Sequence, residues 1–220
     1  QAAQNGHEGC VNALIQANAS IDQGRTSDGS TPLLVAAQKG HEGCVNALIQ
    51  ANASIDQGRI SDGSTPLFQA AQNGHEGCVN ALIQANASID QGRISDGSTP
   101  LFQAAQNGHE GCVNALIQAN ASIDQGRTSD GSTPLFVAAQ NGHEGCVQIL
   151  LGEKITISKD LEDSDICLIS HKKLSDDIND LCCFNEHFQI IYSFKSLFEW
   201  INRNTHIIDK VPHVKNPINP

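Results

Sequence analysis

Long apolar runs are absent from these 220 residues, so no helical membrane span can be read in them. Clustered basic charge is missing too. Lys and Arg number 13 against 24 Asp and Glu, a formal charge of −11, and no patch suits a nucleic-acid backbone. Aromatics make up only 4%, and most of them sit late in the chain. The spacing of a disulfide framework is missing as well. Five of the 8 cysteines (Cys10, Cys44, Cys78, Cys112 and Cys146) recur at one fixed interval, which points to equivalent small apolar slots. They read as reduced, buried thiols, and the expected compartment is the cytoplasm. Residue 1 is Gln and lies inside a repeat unit, so the chain reads as a fragment and any N-terminal targeting signal falls outside it.

What the sequence has is repetition. His7, His41, His75, His109 and His143 are each 34 residues apart. The block 65–98, TPLFQAAQNGHEGCVNALIQANASIDQGRISDGS, differs from the preceding copy only at Leu34, Val35 and Lys39, and from the following one only at Thr128. A period in this range means stacked supersecondary units. Thr65-Pro66 starts a helix, with a hydroxyl cap followed by proline at the first helical position. Leu67, Ala70 and Ala71 form a small apolar face. Gly74 takes the left-handed stop. A second helix carries Val79, Leu82 and Ile83 at helical spacing, and Asn86 ends it in the left-handed region. A loop rich in Gly, Asp and Ser then runs back to the next Thr-Pro.

Helix, turn, helix and a long finger, with TPL and GH landmarks recurring in order, resemble the ankyrin repeat over about residues 1–151. Two features depart from the family pattern. The period is one residue longer than the usual 33 or so, so the finger is expected to bulge. The family's His after Thr-Pro-Leu is Leu34, Phe68, Phe102 or Phe136 here, so apolar filling is expected in its place. The His after Gly reads as fixing the turn between helices, because one ligand per repeat cannot close a tetrahedral metal site. The ladders Arg25, Arg59, Arg93, Arg127 and Asp28, Asp62, Asp96, Asp130 read as ion pairs running along the stack or as part of a ligand surface. The resemblance implies a protein partner on the concave face and fingers. By position its contacts would be Ser61, Asp62, Ser64, Gln69, Gln72 and Asn73, with the copies Asp96, Gln103, Asn107, Asp130 and Asn141.

The repeat stops at Gly152. Residues 1–152 hold 5 basic and 13 acidic side chains, and 153–220 hold 8 and 11. Residues 153–164 read as a linker. In 165–220 a strand or loop (165–170) precedes a helix in which Phe194, Leu197, Phe198 and Ile201 recur at helical spacing after Ser193. Where a zinc-binding RING domain carries cysteine pairs, this chain has Cys167 with Ser170, and Val211 with Val214, so no metal and no cofactor is expected. Cys-Leu-Ile-Ser (167–170), Tyr192, Trp200 and P-x-x-K-x-P-I (212–218) come in an order similar to the U-box, a RING-shaped fold that uses no zinc. That resemblance implies contact with a ubiquitin-conjugating enzyme through Ile169, Trp200, Pro212 and Lys215, and no catalytic side chain. Lys215 stands where the family commonly has Arg and lacks its bidentate fork.

The expected fold is therefore mainly α. An ankyrin-repeat solenoid (1–152) leads through the linker to a small α+β U-box-like module (165–220). The expected function is a protein-interaction scaffold, and more specifically a ubiquitin ligase whose repeats recruit substrate. The alternative is a non-enzymatic scaffold in which the C-terminal segment only caps the stack. No nucleic acid, no membrane and a monomeric state are expected.

Overall fold

The computed structural model describes residues 1–151 and, as backbone alone, two short strands further on, Cys167–Ser170 and Leu181–Phe184. Nine α-helices lie among the described residues: α1 (Glu8–Gln16), α2 (Pro32–Lys39), α3 (Glu42–Gln50), α4 (Pro66–Gln72), α5 (Glu76–Gln84), α6 (Pro100–Gln106), α7 (Glu110–Gln118), α8 (Pro134–Gln140) and α9 (Glu144–Leu150). A 3-10 turn, Ala3–Asn5, precedes α1. Each 34-residue unit thus supplies one helix pair and one finger. The first helices α2, α4, α6 and α8 pack in sequence as an inner layer, and α1, α3, α5, α7 and α9 form the outer one.

Local chemistry sets these boundaries. The hydroxyls of Thr31, Thr65, Thr99 and Thr133 accept from the backbone N–H three residues on, at 3.1–3.2 Å, and proline follows each. Gly74 closes its turn at φ +75° and Asn86 ends α5 at φ +60°, as the sequence predicts. Leu67, Ala70, Ala71, Val79 and Leu82 are fully buried. Each large aliphatic among them stabilises the stack by about 1.5–3 kcal/mol, and the paired alanines let neighbouring first helices meet closely. Leu34, Phe68 and Phe102 are also buried, and Phe136 in the last repeat is half-buried against the core, so apolar filling replaces the family histidine. Buried Cys44, Cys78, Cys112 and Cys146 fit the expected slots, whereas Cys10 is exposed.

The strands β1 (Cys167–Ser170) and β2 (Leu181–Phe184) pair antiparallel, with Cys167 opposite Phe184 and Ile169 opposite Cys182. The rest of the expected U-box-like arrangement, including Trp200, Pro212 and Lys215, lies outside the described residues.

Candidate protein-interaction surface

The surface depends on how each repeat is joined to the next. Four ties recur. His75 Nε2 donates to the Gln38 carbonyl at 3.1 Å, and His41, His109 and His143 repeat this bond toward the preceding unit. The ring lies on bare glycine: a Cβ on Gly40 would stand 2.6 Å from His75 Nδ1. Ser54 donates from its N–H and Oγ to Asp22 at 2.9 and 2.8 Å, a clip repeated at Ser88–Asp56 and Ser122–Asp90. Gln38 donates to Gln69 at 3.0 Å and Gln72 to Gln103 at 3.1 Å. The fingers join by backbone, with Ile60, Ile94 and Thr128 N–H bound to Asp28, Asp62 and Asp96 carbonyls at 3.0, 2.9 and 2.8 Å. Each neutral bond contributes about 0.5–1.5 kcal/mol net, so their number at one junction sets its rigidity.

The histidine therefore does a different job from the one its position suggests. The turn between helices is held by backbone, with His75 N–H donating to Ala70 O at 3.0 Å. That leaves the imidazole free to reach the preceding repeat.

The charged ladders also differ from expectation. Arg and Asp pair inside one finger, three residues apart: Arg25–Asp28 at 2.8 Å, Arg59–Asp62 at 3.3 Å, Arg93–Asp96 at 2.6 Å, and Arg127 with Asp130. The tight turn brings them together. Arg59 N–H donates to Ser64 O at 3.0 Å and Gly63 N–H to Arg59 O at 2.7 Å. What the arginines add along the stack is a cation–π contact. The Arg93 guanidinium lies 5.6 Å from the Phe68 ring centroid, and that of Arg127 lies 5.2 Å from Phe102. The Arg93 hydrogen bond, followed by those from Ser98, holds the Asp96 carboxyl down at about 2. Asp28 is lowered to about 2 chiefly by the Ser30 backbone N–H. The Arg127 bond is the main cause that lowers Asp130. Burial is the main cause raising the thiols, Cys78 to about 11 and Cys112 to about 12.

The residues expected to meet a partner fall into three groups. Ser64, Gln69 and Gln103 are buried, at 1%, 1% and 4% exposure. They shape the surface from beneath rather than form it, because the Gln amides are taken up by the ladder between first helices. Asp62, Asp96 and Gln72 are half-buried. Asp62 and Asp96 are committed to arginines, and Gln72 to Gln103. Ser61, Asn73, Asn107, Asp130 and Asn141 are exposed. Even here the amide nitrogens serve the scaffold. Asn73 Nδ2 caps Gln69 O at 2.7 Å, Asn107 Nδ2 reaches Gln72 O at 3.1 Å, and Asn141 Nδ2 reaches Gln106 O at 2.9 Å.

Two residues of this surface are not among those expected. Ile60 and Ile94, at the tips of adjacent fingers, are 83% and 80% exposed. The sequence does carry a signal for them. Their position reads Thr26, Ile60, Ile94, Thr128, one of the few places where the copies differ, inside a loop otherwise rich in Gly, Asp and Ser.

A family model described as ankyrin repeats (3 copies) matches residues 1–93 and 86–163. The chain belongs to the ankyrin-repeat family. Among curated proteins no match is found. The ankyrin array is a protein–protein interaction scaffold. Among the described residues no helix is long and apolar enough to cross a membrane. Also among the described residues, no group of three or more His, Cys, Asp or Glu is placed to hold a metal ion.

Proposed function

We propose that the array binds a protein partner along its fingers and the C-terminal ends of the first helices. Ser61, Asn73, Asn107, Asp130 and Asn141 supply polar contacts, and buried Ser64, Gln69 and Gln103 hold the surface in shape. The observation that carries this reading is the rigid joining of successive fingers by the Ile60, Ile94 and Thr128 backbone bonds. Such joining fixes the surface before a partner arrives and limits the entropy lost on binding. The test is hydrogen-exchange footprinting of binders selected from a displayed peptide library. Protection is expected on 59–64, 72–73, 93–98 and 106–107. Protection confined to α3, α5 and α7 would refute the reading.

The narrower reading as a ubiquitin ligase rests on the order of Ile169, Tyr192, Trp200 and Pro212 in the sequence. Its test is ubiquitin-chain formation with a panel of conjugating enzymes. The full chain should be active, and Ile169→Ala and Pro212→Ala should each be impaired. No activity with any enzyme, or equal activity in all three proteins, sinks it and leaves the scaffold in which the C-terminal segment only caps the stack.

A further inference from the structure

One stretch occurs four times without change. Ala-Ala-Gln-Asn-Gly-His-Glu-Gly stands at 2–9, 70–77, 104–111 and 138–145. Each copy holds an Asn-Gly step: Asn5-Gly6, Asn73-Gly74, Asn107-Gly108 and Asn141-Gly142. The remaining copy reads Lys39-Gly40. Asn-Gly is the step at which a backbone nitrogen most readily attacks a side chain, because glycine has no Cβ to shield it. Identical neighbours give all four the same intrinsic reactivity, so a difference between them comes from the fold.

The fold holds three of these steps shut. Asn73, Asn107 and Asn141 end their helices with ψ of 3°, 1° and −2°. A five-membered imide closes only when the glycine nitrogen eclipses the asparagine Cβ about the Cα–C bond, and ψ near 0° keeps the two well apart. Turning ψ breaks the bonds from the Gly74, Gly108 and Gly142 N–H groups to the Ala71, Ala105 and Ala139 carbonyls, at 3.3, 3.3 and 3.0 Å. It also withdraws the side chain from its partners. Asn107 Nδ2 donates to Gln103 O of its own helix at 3.0 Å and to Gln72 O of the preceding repeat at 3.1 Å. Gln72 O is also the acceptor of the His109 bond. Asn141 Nδ2 reaches Gln106 O, the acceptor of the His143 bond, at 2.9 Å. Asn73 Nδ2 caps only Gln69 O of its own helix, at 2.7 Å. The Asn5 side-chain amide bonds nothing among the described residues.

We propose that Asn107-Gly108 and Asn141-Gly142 are self-modification sites that unfasten their joints in one direction. When the turn opens, the glycine nitrogen attacks Asn Cγ. The N–Cγ bond forms, the Cγ–Nδ2 bond breaks, and Nδ2 leaves as ammonia with the proton of the glycine N–H. Water then adds to one imide carbonyl and opens the ring, leaving aspartate or isoaspartate. No oxidant and no enzyme takes part. The product cannot restore the tie. A carboxylate at 107 has no hydrogen to give at neutral pH, and it would face the Gln103 and Gln72 carbonyl oxygens, so attraction becomes repulsion between acceptors. Isoaspartate also lengthens the main chain by one methylene ahead of Gly108, which shifts His109 away from Gln72 O. Lys39-Gly40 makes the same turn, with Gly40 at φ +74°, and is exempt from this chemistry.

The full chain is held at mildly alkaline pH, both native and in urea above its unfolding transition. Peptide mapping by mass spectrometry follows conversion at each step, and an isoaspartyl methyltransferase locates isoaspartate. In urea the four steps should convert within about twofold of one another. In native protein Asn5 should convert first, and Asn107 and Asn141 should be slowed at least about tenfold relative to urea. His109→Ala should speed native conversion at Asn107, relative to its rate in urea, by about threefold or more and leave Asn141 unchanged. Asn107→Asp stands in for the product. It should speed amide exchange at the α6–α7 turn by about fivefold or more, whereas Asn107→Ala, which loses the donor without adding charge, should speed it less. Asn73→Asp, with no tie to the preceding repeat, should affect its own turn less than Asn107→Asp does. Native conversion of Asn107 as fast as in urea would overturn the proposal, as would no conversion in urea. So would Asn107→Asp with exchange no faster than in the unmodified chain.

Discussion

Replacing Gly74 with Ala tests the joint between repeats. Gly74 sits at φ +75°, where any side chain is strained, and that strain costs about 1–2 kcal/mol. A Cβ there would also stand 2.6 Å from His109 Nδ1 and 2.8 Å from Cε1. The imidazole must swing away, and its 3.1 Å bond to Gln72 O goes with it, at about 1 kcal/mol plus the lost ring packing. The expected penalty is about 2–4 kcal/mol, read from urea unfolding followed by circular dichroism. A double-mutant cycle separates the two parts. In a His109→Ala background the three nearest ring atoms are gone, so Gly74→Ala should cost chiefly the backbone strain of about 1–2 kcal/mol. Gly142→Ala is a second control, since Gly142 has φ +75° but meets no atom of the described residues within 4 Å. Equal penalties for Gly74→Ala with and without His109 would refute the claim that the histidine is a strut between repeats.

Three further outcomes are expected. Phe102→Ala should destabilise by about 3–5 kcal/mol in the same unfolding assay, because it empties a fully buried site and removes the ring under Arg127. Phe102→Leu, using the residue the chain itself carries at 34, should cost less than half as much. Asp96 is lowered to about 2 by its Arg93 bond. The stability this contributes is fully present above the ordinary carboxylate range near 4 and is lost as pH falls through about 2, so Asp96→Asn should flatten the acid limb of a stability–pH curve. A variant with an unchanged acid limb contradicts that assignment. In native protein at neutral pH, Cys10 should be alkylated first among the five repeat cysteines, with Cys78 and Cys112 protected by burial and by thiols raised to about 11 and 12. Peptide mapping by mass spectrometry checks this, and labelling of Cys112 as fast as Cys10 would contradict it.

The architecture was legible because its determinants are local. Thr65-Pro66, Gly74 and Asn86 each fix a dihedral or satisfy an end of a helix within one turn, so the neighbours that matter lie a few residues away. The apolar spacing of Leu67, Ala70, Val79 and Leu82 then names the buried face. The substitution of Phe68 and Phe102 for histidine was equally readable, since an aromatic beside a capped helix start has only the core to enter.

The surface was harder to read for a physical reason. In a stack, polar atoms meet partners about one period away. Gln72 bonds Gln103, His109 bonds Gln72 O, and Ser88 bonds Asp56. A glutamine that binds a ligand and one that ties two helices look alike within a single copy. The difference lies in register: Gln69 and Gln103 fall opposite the preceding unit's glutamine and are consumed, whereas Val35 and Val137 stand at the same place in the flanking copies. Near-identity between copies hides such ties, because every unit offers the same side chains. Differences between copies are more informative. The change from Thr to Ile at positions 60 and 94 leaves all the ties intact and alters only what the finger tips present to a partner.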